Sequence, residues 1–139
     1  MEKKTVDEMT LTKRQMEVLK LRNEGLSQEE IAQRFGQTKQ NISAIERMAR
    51  ANVKKAENTL KFVKLLKAPI WFTVDENTDL EEVTKKVFSE ADRAKIHIAY
   101  DVLSLATKIR EELRDKIKHR LIVREFEIGI TKEGEIIVL

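Results

Sequence analysis

Thr38, Lys39, Gln40, Asn41, Ser43, Arg47 and Arg50 alternate with Ile42, Ile45 and Ala49 over a short stretch of chain. The three- and four-residue spacing of the apolar positions predicts a helix with one buried face, leaving the polar residues on the other. Those side chains suit recognition of duplex nucleic acid. A carboxamide can pair with an adenine edge, a guanidinium with guanine or a phosphate, and a short hydroxyl permits close approach. Arg14 and Gln28 open two preceding helical stretches and add candidate phosphate donors. Catalysis has no comparable set. His97 and His119, the only histidines, stand 22 residues apart, and there is no cysteine. Glu90 and Asp92 sit in a helix-rich charged region. No phosphate-binding glycine loop and no nucleophile–base–orienter arrangement is present. The expectation is a non-enzyme without metal or cofactor.

Two short helices and two turns would position the polar face. Ser27 followed by Glu30 forms a reciprocal capping box, and Gly36 stops that helix in the left-handed conformation common past a helix end. Thr38 then caps the next helix. Two helices separated by little more than Gly36 and Gln37 fit a helix-turn-helix connection. A first helix begins at Thr12, with Gln15 completing its box, packs through Val18, Leu19 and Leu21, and ends at Gly25. Lys3 and Lys4 lie in an irregular lead-in, Met1 to Thr10, as an arm near DNA or a solvated tail.

Charge distribution agrees with this placement. Residues 1–68 carry 15 Lys or Arg against 9 Asp or Glu, a balance of +6, whereas residues 69–139 carry 12 against 15, a balance of −3. A basic balance in the helix-turn-helix half is what attraction to a phosphate backbone requires. No apolar run has membrane-spanning length and the start lacks an apolar signal core, so a cytoplasmic location with no membrane partner is expected.

The third helix is expected to run from Thr38 to about Lys67, far longer than groove reading needs. Its stripe of Val53, Ala56, Leu60 and Val63 either joins a second copy or packs against Leu105, Ile109 and Leu113. Pro69 breaks the pattern and restrains Ala68 toward extended geometry, placing a domain boundary at residues 67–69. Beyond it the chain reads as a strand at Ile70 to Asp75 with Trp71 in its core, then a helix from Leu80 to Asp92 capped by Asp79. A short strand at Ile96 to Ile98 is preferred over one continuous helix. A helix over Asp101 to Lys118 follows, then strands at Leu121 to Ile130 and Glu135 to Leu139 joined by a turn at Thr131 to Gly134. The fold class is therefore α+β. Residues 1–68 form a helix-turn-helix domain with an extended third helix, and residues 69–139 a small assembly or regulatory domain.

The motifs also carry a family likeness. Leu11, Thr12, Arg14, Gln15, Val18 and Leu19 form one, Gly25, Leu26, Ser27, Glu30, Ile31 and Ala32 a second, and Asn41 to Glu46 a third. Together they make the stretch resemble the DNA-binding domain of the archaeal Tfx family of transcription regulators. It is also similar to region 4 of bacterial sigma factors and to the LuxR-type domain. The likeness extends into the second domain through Phe88 to Asp92. The family often has a glycine before the next apolar triplet, where this chain has Ala94 and Lys95. The resemblance implies that the helix from Thr38 to about Met48 enters the major groove. It also implies a sequence-specific regulator of archaeal transcription, an activator being one form of it. The expected partners are double-stranded DNA, a second copy in a homodimer, and the transcription machinery. The competing reading is a non-catalytic scaffold whose helix-turn-helix docks proteins.

Overall fold

The structure is a computed structural model, and it describes residues 8–139. The expected arm, with Lys3 and Lys4, falls largely outside those residues. Among the described residues, five α-helices and five strands follow in the order α1 (Lys13–Asn23), α2 (Gln28–Phe35), α3 (Lys39–Lys67), β1 (Ile70–Val74), α4 (Leu80–Arg93), α5 (Val102–Leu113), β2 (Ile117–Lys118), β3 (Leu121–Ile122), β4 (Phe126–Ile130) and β5 (Ile136–Val138). The class is α+β, as expected. The chain forms two compact units, one ending at Thr59 and the other Leu60–Leu139. By packing, the last turns of α3 belong to the second unit.

In the first unit the helix ends are set by side chains. Thr12 and Ser27 each accept from the backbone N–H three residues on, and Gln15 and Glu30 accept in return from the cap N–H groups. Gly36 takes φ 64° at the end of α2. The Thr38 hydroxyl accepts from the Asn41 N–H at 3.1 Å and caps α3. Val18, Ile31, Ala32 and Ile42 form the core, with Leu21, Leu26, Phe35 and Ile45 packed around it.

The second unit is a three-stranded antiparallel sheet, β1–β4–β5, beside a two-stranded β2–β3 ribbon. Ile70, Phe72 and Val74 pair across the sheet with Ile130, Ile128 and Phe126. These residues pack with Val83 and Val87 of α4 and Leu105, Ile109 and Leu113 of α5 in one core. Because successive strand residues alternate faces, Trp71 lies on the opposite side and is exposed. The expectation that Trp71 belongs to the core is thereby corrected. The end of α3 covers part of that outer face. Leu65 is fully buried, and a Cβ at Gly129 would overlap its Cδ2 and also meet Ala68. Lys61 Nζ donates to the Val138 carbonyl and pairs with Glu112, both at 3.1 Å. Glu112 also holds Lys108 at 3.0 Å.

Three other element assignments are revised. Ile96 to Ile98 is not a strand. Lys95 turns left-handed at φ 59°, and the Ile96 N–H is spent on the Ala91 carbonyl. Ile98 then fills the core without joining a ladder. Lys95 thus occupies the backbone conformation that a glycine would adopt without strain. The helix expected to reach Lys118 stops at Leu113, where Arg114 takes φ 50° and a 3-10 turn leads into β2. The strand expected over Leu121 to Ile130 is split at Val123 to Glu125. Its first part pairs with β2 and its second with β1 and β5, so the two parts serve different sheets.

Candidate nucleic-acid interface

At 3.6 residues per turn, each position on α3 is rotated about 100° from the last. Gln40, Ser43 and Arg47 therefore share one face, with Arg50 and Lys54 continuing it. Ile42, Glu46 and Ala49 occupy the other side and are buried. Lys39, Gln40, Asn41, Arg47, Arg50 and Lys54 are exposed, and Ser43 is half-buried. Thr38, Lys39, Gln40, Asn41, Ser43, Arg47 and Arg50 of the expected contact set thus cap or stand on one helix, following the Gly36–Gln37 turn, while Arg14 lies on α1 and Gln28 opens α2. Asn41 is partly engaged, its Nδ2 donating to Gln37 Oε1 at 3.0 Å.

Beneath that face lies a polar network that sequence reading missed. Glu46 is only 6% exposed. Its Oε1 accepts from Arg22 Nε of α1 at 2.9 Å and from Gln28 Nε2 of α2 at 3.0 Å. Its Oε2 accepts from Arg50 Nε at 2.8 Å, with Arg50 Nη2 at 2.6 Å. Arg22 Nη1 also donates to the Leu26 carbonyl at 2.9 Å. One carboxylate thus ties all three helices together. Burial pushes the Glu46 carboxyl up, but the Gln28 and Arg50 hydrogen bonds and the two guanidinium charges outweigh it. The group sits below its ordinary range. A buried carboxylate with both oxygens hydrogen-bonded rigidifies its surroundings, whereas one left without partners would destabilise them.

This network changes how three residues are read. Glu46 pairs with Arg22 and Arg50 rather than with its neighbour Arg47, which is free to face outward. Gln28, a candidate phosphate donor at the start of α2, gives one amide N–H to Glu46 and keeps a second. Arg50 is held by Glu46 while its side chain stays exposed. Arg14 stacks over the Phe35 ring at 4.3 Å and lies 3.5 Å from Glu17. The Glu46–Arg50 pair was legible as an i, i+4 spacing. The 24-residue reach from Arg22 was not.

Fold and site together define a helix-turn-helix protein with an α+β unit attached. Residues 9–55 match the family model of sigma-70, region 4, and residues 56–138 match that of DNA-binding protein, TFX, C-term. The DNA-binding protein Tfx of Methanothermobacter marburgensis is 44% identical over 128 residues, covering 92% of this chain and 93% of that protein. The Tfx of Methanothermobacter thermautotrophicus is equally similar over the same span. A Methanocaldococcus jannaschii protein whose name proposes a transcriptional regulatory role is 40% identical over 131 residues, with 94% and 96% covered. The chain belongs to the Tfx family.

Proposed function

We propose that this chain reads duplex DNA through the exposed face at the start of α3. The protein is a DNA-binding transcription regulator of the Tfx family. The carrying observation is the segregation on α3: Gln40 and Arg47 are exposed on one side while Ile42, Glu46 and Ala49 are buried on the other.

In this reading Gln40, with Asn41, hydrogen-bonds adenine edges, and Arg47 takes guanine or a phosphate. Ser43 lets the helix approach closely. Thr38 and Lys39 meet the backbone at the helix start, where the amides and macrodipole favour an anion. Arg50, Gln28 and Arg14 supply further phosphate contacts from the three helices. The chemistry is binding, with no catalytic step. Residues 1–68 carry the DNA reading and residues 69–139 assembly or regulation. No described helix is long and apolar enough to cross a membrane, and the reading places the protein on cytoplasmic DNA. It acts as a homodimer in contact with the transcription machinery.

The test is selection of bound fragments from genomic DNA, followed by competition with random duplex. Recovered sites sharing a motif and outcompeting random duplex at least tenfold support the reading. Equal competition by random duplex defeats it.

A further inference from the structure

The last turns of α3 are apolar on two opposite sides. One side is docked, with Leu65 buried over Gly129 and Lys61 hydrogen-bonded to Val138. On the reverse, Leu60, Val63 and Leu66 recur at three-residue spacing, and all are exposed. Phe62 extends this surface to Trp71, their rings meeting edge to face with centroids 6.3 Å apart. Exposure across these residues runs from 41% at Trp71 to 64% at Leu60. The rival partners for this stripe are already committed: Leu105, Ile109 and Leu113 are buried in the core under the sheet. A helix apolar on two sides belongs between two packed surfaces.

We propose that this outer face joins two copies of the chain, α3 against α3, antiparallel about a two-fold axis beside Val63. The inference rests on the proposed function only in naming the homodimer's surface. The pattern is self-complementary, as an isologous interface requires. Leu60 and Leu66 stand equally far from Val63 in sequence. An antiparallel pair therefore stacks Leu60 of one copy with Leu66 of the other, Val63 with Val63, and Leu66 with Leu60. The same symmetry puts Phe62 and Trp71 of both copies on one flank, where they enlarge the buried area. Lys64 projects from the opposite flank toward solvent. For side chains of this size the exposed area is about 500 Å² per copy, near the largest patch a monomer ordinarily leaves open. Pairing two such patches removes about 1,000 Å², the size at which specific interfaces begin.

Sedimentation equilibrium of the full chain without DNA, over a concentration series, is the first measurement. A mass of about 32 kDa, twice 16.2 kDa, is expected. Val63→Glu sets two carboxylates against each other at the axis and should halve that mass while leaving the circular dichroism unchanged. The chain has no cysteine, so Val63→Cys supplies a unique thiol. A short bismaleimide should cross-link it to the dimer mass at least tenfold faster than Leu103→Cys, whose thiol would stand at an exposed position on α5. A wild-type chain that stays at 16.2 kDa overturns the pairing, as does a Val63→Glu chain that stays dimeric or equal cross-linking of the two thiols. These measurements contain no DNA, so they stand or fall separately from the DNA-reading assignment.

Discussion

Gln40 and Lys55 are both exposed polar residues on α3, yet they are expected to fail differently when truncated. Gln40 belongs to the face at the helix start, where an amide can answer one base edge. Gln40→Ala should therefore change preference at one or two positions of the selected site, by about 1–3 kcal/mol of discrimination. Lys55 lies well past that start and is suited to phosphate. Lys55→Ala should weaken all duplexes alike and flatten the dependence on salt. A shift confined to particular bases for Lys55→Ala, or a uniform loss for Gln40→Ala, would reverse the roles. Glu46 makes a prediction about stability. Its carboxyl is depressed in the folded protein despite burial, because Gln28, Arg50 and Arg22 favour the charged form. A depressed folded value means the stabilisation is fully present above the unfolded carboxyl's range. It is lost as pH falls through the folded value. Glu46→Gln should cost about 2–3 kcal/mol at neutral pH, and the gap to wild type should narrow on acidification. Urea melts at a series of pH values, followed by helical circular dichroism, measure this. A gap that stays constant down to strongly acid pH would remove Glu46 from the account.

Among the elements, the helices and their ends were readable because their signals are local. Thr12–Gln15, Ser27–Glu30 and Thr38 cap within three residues, and Gly36 stops α2 where glycine is conformationally free. Strand partners are a longer-range matter. Ile117, placed by periodicity on the last turn of a helix, instead pairs with Ile122, because Arg114 at φ 50° had already ended α5. Val123 to Glu125 looks extended in sequence, and only the switch from one sheet to another explains the break there. Trp71 was misplaced for a related reason. A lone tryptophan in an apolar strand suggests a core, but alternation gave the inner face to Ile70, Phe72 and Val74. At the candidate site the exposed face of α3 followed from its period, whereas the clamp from Arg22 needed the tertiary fold. Gly129 likewise reads as an unremarkable strand residue until Leu65 is seen lying on it. Gly129→Ala should overpack that contact and destabilise the second unit by about 1–3 kcal/mol. Adding Leu65→Ala, which removes the overlapping Cδ2, should make the double mutant's loss smaller than the sum of the two single losses. Additive losses in thermal melts would mean that Leu65 does not set the requirement for glycine.

For the molecule as a whole, the charge balance separates what each half can do. Residues 1–68 carry the net +6 derived above and the whole candidate interface, while residues 69–139 are net acidic. The first unit also has its own core in Val18, Ile31, Ala32 and Ile42, closed by the Glu46 network. These features argue that DNA reading is separable from the α+β part. A fragment of residues 1–68 should fold into helices and bind duplex DNA, and its affinity should fall as salt rises. The slope should be about −0.9 in log K against log salt for each phosphate neutralised. Loss of the acidic half favours the fragment by long-range attraction. Loss of Trp71 and of the sheet that holds the end of α3 through Leu65 and Lys61 weakens the pairing face and works against it, because two linked readers hold a repeated site far better than one. The second effect should dominate on sites containing two copies of the motif and vanish on sites containing one. Titrating fragment and full chain against both kinds of site, at several salt concentrations, separates the contributions. A fragment that is helical by circular dichroism yet binds neither site at low salt would show that residues 69–139 are needed for DNA reading itself.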